Sequence, residues 1–307
     1  MGKRKSNAVI TAELLLVVIL WGGNNVAVKY QLGFWPPVFT ASVRFLLAGW
    51  LLQTVMRHTD WLGRPTPIDN ALGRRLWTHG ATSLALYIMV FVWAVKLTSP
   101  STVALFMGTS PVWALLLEER LNLTSAPRYA AAGLALAGVG VLFYPSAHGA
   151  STTLAGNLLA LVGSILWTIY SRQCRTLGHS ISGLELTGHT FWRAGALLIP
   201  VACWEVATRG VRWNPAAAWL QVYAVLFSGL LAFGLWNDAL RSWPTSRAFL
   251  FGNLIPVTTM TFAHYFMGEP VTRSFWLALG LILSAVLLGQ FAGKSGQNRS
   301  SPAESSS

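Results

Sequence analysis

Ten stretches of mostly apolar residues, separated by polar or Pro/Gly-rich breaks, run along the chain from residue 9 to residue 292. A helix that crosses the hydrocarbon core of a bilayer needs about 20 such residues. The pattern therefore predicts an all-α integral membrane protein with ten transmembrane helices. The predicted spans are 9–29, 37–56, 77–96, 101–117, 127–144, 154–171, 184–206, 218–240, 247–267 and 275–292.

The composition agrees with a membrane protein. Only 10% of the 307 residues are charged and 53% are apolar, whereas a soluble domain carries about 25% charged residues. This excludes a disordered chain, a disulfide scaffold and a soluble enzyme. We attribute the net charge of +12 to cytoplasmic loops, not to nucleic-acid binding. Cys174 and Cys203 lack metal-ligand spacing, so we expect no metal and no cofactor.

Lysine and arginine are distributed unevenly between alternate loops. With the N-terminus placed inside, fifteen fall on the inner side and five on the outer side, while Arg44 and Arg193 lie within spans. An excess of Lys and Arg marks cytoplasmic loops. We therefore expect a multi-pass protein of the inner or plasma membrane with both termini in the cytoplasm. The first apolar run has no small-residue cleavage site after it, so it is expected to remain as a helix.

The two halves of the chain resemble each other. Residues 96–101 (KLTSPS) align with residues 241–246 (RSWPTS) at an offset of 145. The same offset aligns Pro111 with Pro256. Several further matches occur in the same order at nearby offsets, as a tandem duplication would produce.

Duplication predicts one membrane domain, residues 1–307, built from two five-helix repeats at 9–144 and 154–292. The polar tail 293–307 is expected to be disordered in the cytoplasm. Because five is an odd number, the second repeat would enter the membrane from the opposite side. Inverted repeats are a common transporter architecture, with the substrate bound at the interface between the repeats.

Several motifs resemble the EamA type of the drug/metabolite transporter superfamily. They are residues 21–29 (WGGNNVAVK), residues 43–48 (VRFLLA), Ser110-Pro111 with Glu119-Arg120-Leu121, and Pro256 with Gly268-Glu269-Pro270. The resemblance covers about residues 9 to 291. It implies a ten-helix 5+5 fold, cytoplasmic termini and export of small metabolites. More loosely, the chain is similar to amino-acid exporters, including the aromatic amino-acid type.

Two arginines and one histidine are candidate substrate-binding residues. An arginine within the membrane costs about 2.5–3.5 kcal/mol on insertion scales, so it faces protein or water. Arg44 and Arg193 could each bind a substrate carboxylate through paired hydrogen bonds, or could brace the fold by donating to helix carbonyls. His79 could relay protons or serve as a hydrogen-bonded structural imidazole.

Two predicted helices are interrupted at related positions. A proline removes one backbone donor and frees a carbonyl of the preceding turn, and a polar substrate could use such groups. The alternative is a kink whose carbonyls are satisfied by neighbouring side chains. The predicted hinge residues are Gly108, Pro111, Gly252 and Pro256, and the substrate-binding candidates beside them are Ser110 and Asn253.

Aromatic and amide side chains form the last group of candidates. A cavity of rings with a few amides suits a zwitterion that bears an apolar side chain. Most membrane tryptophans and tyrosines belong instead to interfacial belts. The candidates are Trp21, Asn24, Asn25, Tyr87, Trp167 and Tyr170.

We therefore expect an exporter of amino acids, aromatic or broad-range, or of similar small metabolites. It would work by alternating access, as a facilitated carrier or exchanger, since the acidic residues fall near span ends. Its partners would be a small molecule and the lipid bilayer, and a monomer would suffice. The alternatives are an exporter of another metabolite or drug class, a receptor or channel, and an intramembrane enzyme. Such an enzyme would act on lipid-like substrates with Glu118 and Glu119 beside Arg120.

Overall fold

The computed structural model describes residues 6–59, 65–117, 130, 133–141, 153–243 and 245–297. Over these residues the chain forms ten helices. In the first half, α1 is Asn7–Gln31, α2 is Pro37–His58, α3 is Asn70–Leu97, α4 comprises Pro100–Met107 and Ser110–Leu116, and α5 includes 133–141. In the second half, α6 is Leu154–Leu177, α7 is Gly183–Arg209, α8 is Pro215–Ser242, α9 comprises Thr245–Gly252 and Ile255–Met267, and α10 is Arg273–Gln297.

The described helices overlap the ten predicted spans, the fifth only at residues 130 and 133–141, and the all-helical fold is confirmed for the described residues. Five of them (α1, α2, α3, α6 and α8) are long and apolar enough to cross a membrane. Helix α4 and helix α9 are each divided by a short break, as the sequence predicted. Helix α10 extends to Gln297, into the segment predicted as a disordered tail. Glu118, Glu119 and Arg120 lie outside the described residues.

Local sequence signals explain several helix ends. The Ser6 hydroxyl accepts a hydrogen bond from the Val9 amide at the start of α1. Ser182 and Glu185 form a reciprocal capping box at the start of α7. At the end of α9, Gly268 adopts a left-handed conformation with φ of 66°, which favours glycine because it has no Cβ.

Helices α2 and α7 form the most extensive contact between the two halves, and they run antiparallel. The Val38 amide, at the start of α2, donates to Glu205 Oε2 near the end of α7 at 2.7 Å. Further along α2, Gln53 Nε2 lies 3.2 Å from His189 Nδ1, near the start of α7. These two helices hold equivalent places in the two halves of the chain.

The remaining contacts between the halves come in matched sets: where two helices pack together, their counterparts also pack together. Helix α1 packs against α8, and its counterpart α6 packs against α3, the counterpart of α8. At what we call the near end, Trp243 Nε1 donates to Asn7 Oδ1 at 3.2 Å, so α1 starts where α8 ends. At the far end, Thr153 Oγ1 donates to the Leu97 carbonyl at 3.0 Å, so α6 starts where α3 ends. Lys29 Nζ, in the last turn of α1, donates to the Val95 carbonyl at this same far end.

The α2–α7 contact depends on two glycines that allow the backbones to approach closely. A Cβ built on Gly49 would lie 2.4 Å from the Trp192 nitrogen, and one on Gly195 would lie 2.9 Å from the Leu46 nitrogen. Small residues at helix crossings commonly serve this purpose in membranes. Leu46 and Gly195 are counterparts in the alignment that pairs Arg44 with Arg193. Contact between counterparts is what a two-fold axis between the halves requires.

We expect Gly195→Leu to destabilise the protein by about 1–3 kcal/mol, because the added side chain forces α2 and α7 apart. The measurement is the thermal unfolding midpoint in detergent. The matched control is Gly280→Leu, because Gly280 lies exposed in α10 and has open space around it. Equal unfolding midpoints for the two variants would show that the close approach contributes nothing to stability.

Candidate functional site

A cavity of about 60 Å³ lies at the seam between the two halves. A buried water occupies roughly 10–15 Å³ on this measure, so the cavity holds about four. Its walls come from both halves and combine aromatic rings with a few polar groups. The lining residues are Trp21, Asn24, Asn25, Arg44, Tyr87, Ile88, Phe91, Met107, Ser110, Pro111, Trp167, Phe233, Trp236, Phe249, Gly252, Asn253 and Ile255.

Arg44 places a buried charge on the cavity wall. Its side chain comes from the middle of α2, and the residue is only 6% exposed. One terminal nitrogen donates to Asn24 Oδ1 at 3.2 Å, and the other donates to Ser228 Oγ at 2.9 Å. Both acceptors are neutral, and the Nε–H has no hydrogen-bond partner. The guanidinium is therefore positioned by three helices, α1, α2 and α8, and keeps an unused donor.

Four aromatic rings form a contiguous group in the cavity wall. The Trp21 ring lies 5.4 Å from the Trp167 ring, at 84°, and 5.2 Å from the Trp236 ring. Phe233 completes the group, 5.0 Å from Trp21. Edge-to-face contacts at such distances stabilise aromatic clusters beyond simple burial. Trp21 is fixed further because its Nε1 donates to the Ser228 carbonyl at 3.1 Å.

Both helix breaks open onto the cavity. Ser110 and Pro111 line it from α4, and Gly252 and Asn253 line it from α9. Ser110 Oγ donates to the Ser164 carbonyl at 3.3 Å, whereas Asn253 Nδ2 is buried without a partner. The breaks therefore bring polar backbone and side-chain groups to a depth where continuous helices would offer only apolar ones.

The two breaks also touch each other. The first piece of α4 packs on the second piece of α9, and the second piece of α4 packs on the first piece of α9. A Cβ built on Gly108 would lie 3.7 Å from Pro256 Cγ and 3.0 Å from the Leu105 carbonyl oxygen. Gly108 and Pro256 thus lie behind the cavity wall, where the broken helices cross.

A π-helical segment in α8, Ala224–Leu231, supplies the groups that position Arg44 and Trp21. Ser228, within this segment, uses its hydroxyl for the arginine and its carbonyl for the tryptophan. Helix α3 has a π-helical segment at the corresponding place, Leu76–Ala81. Segments of this kind are often found at functional sites. Sequence reasoning missed both segments, since no proline or glycine pattern marks them.

A smaller cavity of about 10 Å³ lies beyond Arg44 toward the far end, with Arg44, Ile88 and Phe91 shared between the two walls. Two buried glutamines from opposite halves line it. Gln31 Nε2 donates to Gln221 Oε1 at 2.7 Å, and Gln221 Nε2 donates to the Thr40 carbonyl at 3.0 Å. These bonds tie α1, α2 and α8 together across the path from the main cavity to the far end.

Most of the predicted site residues line the main cavity, but some lie elsewhere. Tyr170 is buried behind Trp167, with ring centroids 5.6 Å apart. His79 is exposed, and its Nδ1 lies 2.7 Å from Thr78 Oγ1. Arg193, the counterpart of Arg44, lies away from the cavity.

Arg193 packs in an aromatic setting between α7 and α3. Its guanidinium lies 4.3 Å from the centre of the Trp192 ring and 5.5 Å from that of the Trp77 ring. One of its nitrogens donates to the His189 carbonyl at 2.9 Å. These contacts match the bracing role that the sequence left open for it.

The cavity wall includes residues that the sequence did not single out. Phe233 and Phe249 have no motif or repeat match to distinguish them from other apolar residues in their spans. Trp236 could have been selected, because it is a tryptophan within a predicted span, as Trp21 and Trp167 are. The residues missed in this way are Ile88, Phe91, Met107, Phe233, Trp236, Phe249 and Ile255.

Known proteins with similar sequences are transporters. The uncharacterized transporter YyaM of Bacillus subtilis (strain 168) is 25% identical over 282 residues, covering 90% of each chain. The uncharacterized inner membrane transporter YedA of Escherichia coli (strain K12) is 25% identical and covers 90% of this chain and 88% of its own. A probable amino-acid metabolite efflux pump of Salmonella typhimurium (strain LT2) is 25% identical over 298 residues, covering 90% of this chain and 93% of its own.

A solved crystal structure shares the fold, with a TM-score of 0.66 at 19% sequence identity, and the match covers 95% of this chain and 100% of the other. Residues 8–144 and residues 154–289 each match the EamA-like transporter family. The two matches fall on the two halves and together span most of the chain, which confirms the resemblance seen in the motifs. The chain therefore belongs to the EamA-like transporter family and is a multi-pass membrane transporter of small molecules, not an enzyme.

Proposed function

We propose that this transporter exports amino acids, aromatic or broad-range, or similar small metabolites by alternating access. The observation that carries the proposal is the seam cavity, whose lining combines a buried guanidinium that has an unused N–H with a group of aromatic rings. A carboxylate can pair with Arg44, and an apolar side chain can pack among the rings. A relative from Salmonella typhimurium that is 25% identical over 298 residues is named as a probable amino-acid metabolite efflux pump.

We further propose that the ten helices form two inverted five-helix repeats, residues 9–144 and 154–292, within one membrane domain, residues 1–307. The antiparallel packing of α2 on α7 supports the inversion. So does the position of the helix starts, with α1 beginning at the near end and α6 at the far end. An exchange of conformation between such repeats converts an inward-open cavity into an outward-open one.

The charge distribution supports a cytoplasmic near end, and hence cytoplasmic termini in an inner or plasma membrane. Cations concentrate where α2, α6 and α8 end and where α3 begins. The cations at the near end are Arg57, Arg74, Arg75, Arg172, Arg175 and Arg241.

The main cavity is too small for the proposed cargo in this conformation. It holds about four waters, whereas phenylalanine has about three times as many non-hydrogen atoms. Cargo binding therefore requires the halves to separate. The hydrogen-bonded pair Gln31 and Gln221 lies between the main cavity and the far end, so we propose that it acts as the outer gate.

Counterflow in proteoliposomes tests the proposed function. With purified protein and no pH gradient, we expect saturable exchange of radiolabelled phenylalanine against the unlabelled compound. Trp21→Phe removes the bond to the Ser228 carbonyl, which is worth about 1 kcal/mol, so exchange should fall about fivefold. Trp219→Phe is the control, because Trp219 is 74% exposed on the outer surface of α8. Transport that required an imposed pH gradient would contradict an exchange mechanism.

Cysteine labelling tests the inverted topology. In a Cys203→Ser background, we expect a membrane-impermeant maleimide to label Thr153→Cys from outside intact cells, since α6 begins at the far end. Ser6→Cys, at the start of α1, should react only after permeabilisation. Labelling of both positions from the same side would remove the basis for alternating access by inverted repeats.

Removal of the hydrogen bonds of the glutamine pair tests the proposed outer gate. Gln221→Ala removes the bonds to Gln31 and to the Thr40 carbonyl, and two bonds of about 1 kcal/mol each should shift the population toward the outward-open state at least tenfold. The readout is maleimide reactivity of Val92→Cys, in the wall of the small cavity, again with Cys203→Ser. Gln53→Ala, on α2 near its cytoplasmic end, should leave this reactivity unchanged. Equal labelling in both variants would mean that the glutamines do not close the path.

A further inference from the structure

The main cavity has a net positive charge. Of the seventeen lining side chains, all within the described part of the chain, Arg44 is the one that carries a formal charge at neutral pH. Its two hydrogen-bond acceptors, Asn24 Oδ1 and Ser228 Oγ, are neutral groups. A buried charge costs free energy unless it is paired and hydrogen-bonded. A cargo with a single negative charge would therefore neutralise the cavity.

The unpaired buried atoms of the lining residues favour the same conclusion. Among the buried polar atoms of these residues, three lack a hydrogen-bond partner: Arg44 Nε, Trp236 Nε1 and Asn253 Nδ2. All three carry N–H groups. An unmade hydrogen bond of a buried group costs free energy that a ligand can recover. When the halves separate around a cargo, these groups become available as donors, and a complementary cargo supplies acceptors.

A carboxylate meets both demands, whereas an ammonium group meets neither. A carboxylate brings a negative charge and two acceptor oxygens, with lone pairs for about four hydrogen bonds. An ammonium group adds a positive charge and three further donors to a site that already has an excess of both. Its favourable contact would be with the faces of the tryptophans, which attract a desolvated cation appreciably, and the buried Arg44 guanidinium would oppose it.

We propose that the preferred cargo is an organic carboxylate monoanion with an apolar or aromatic body and no ammonium group, such as a deaminated or N-acylated derivative of an amino acid. The carboxylate pairs with Arg44, and the body packs among Trp21, Trp167 and Phe233. Trp236 and Asn253 donate to acceptors on the cargo. This inference rests on the proposed function and specifies which of its small metabolites the cavity favours.

Three compounds that share a phenyl ring and a short carbon chain differ in their charged groups, so they test which charged group the cavity prefers. 3-Phenylpropanoate has only the carboxylate, L-phenylalanine has both groups, and phenethylamine has only the ammonium. We measure counterflow of each radiolabelled compound in proteoliposomes, and its competition against the others. The pH is held well above the pKa of the free acid, and protein-free liposomes correct for diffusion of the neutral acid.

We expect 3-phenylpropanoate to compete at a concentration about tenfold lower than phenylalanine, because burying the unpaired ammonium group of phenylalanine beside Arg44 costs about 1.4 kcal/mol or more. Phenethylamine should not compete. If phenylalanine competes as well as 3-phenylpropanoate or better, the inference is overturned and the proposed amino-acid export stands. If none of the three is exchanged, both the inference and the aromatic substrate class fail.

Substitutions of Arg44 test whether this residue causes the preference for 3-phenylpropanoate over phenylalanine. Arg44→Gln should abolish the discrimination between 3-phenylpropanoate and phenylalanine, and Arg44→Lys should retain part of it because the charge remains. The control is Arg209→Gln, which removes one cation from the exposed end of α7, where the guanidinium lies over Trp93. Unchanged discrimination in Arg44→Gln would overturn the role of Arg44. The comparison of the three compounds on the unaltered protein stands even if this variant does not fold.

Discussion

The site depends on one charge that is held in the interior by neutral groups. The Arg44 guanidinium is anchored by an amide of α1 and a hydroxyl of α8. Because insertion of an arginine at membrane depth is unfavourable, its burial is sustained only where several helices bring acceptors together. The same requirement brings α1 of the first half and α8 of the second half to the same point, which is where the cavity forms. The charge therefore links the assembly of the halves to the chemistry of the site.

The repeat provides the helical framework of the protein, and the differences between the two halves make the cavity asymmetric. Arg44 and Arg193 arise from equivalent positions, yet only Arg44 reaches the cavity. Arg193 instead lies between two tryptophans and donates to the carbonyl of His189. One copy lines the cavity, where we propose that it binds cargo, and the other packs between α3 and α7. A single asymmetric ligand can then be bound between two halves that are otherwise similar.

Much of the fold could be predicted from the sequence, because each helix that crosses a membrane requires a long stretch of apolar residues. The ten helices, the breaks at Pro111 and Pro256, and several wall residues such as Trp21 all follow from hydropathy, proline and the repeat. The π-helical segments could not be predicted, because their register change has no residue signature. The orientations of Arg44 and Arg193 could not be predicted either. They depend on which neighbours each guanidinium meets, and Ser228 lies 184 residues away from Arg44.

The crossing of the broken helices has a mechanical consequence. Gly108 of the first half and Pro256 of the second half are in near contact, and each piece of α4 rests on the opposite piece of α9. In the alternating-access cycle proposed above, such a crossing would act as a shared pivot, because bending at one break would displace the other. Opening on one side of the bilayer would then be tied to narrowing on the other. This coupling would act together with the glutamine pair at the far end to prevent a continuous leak through the protein.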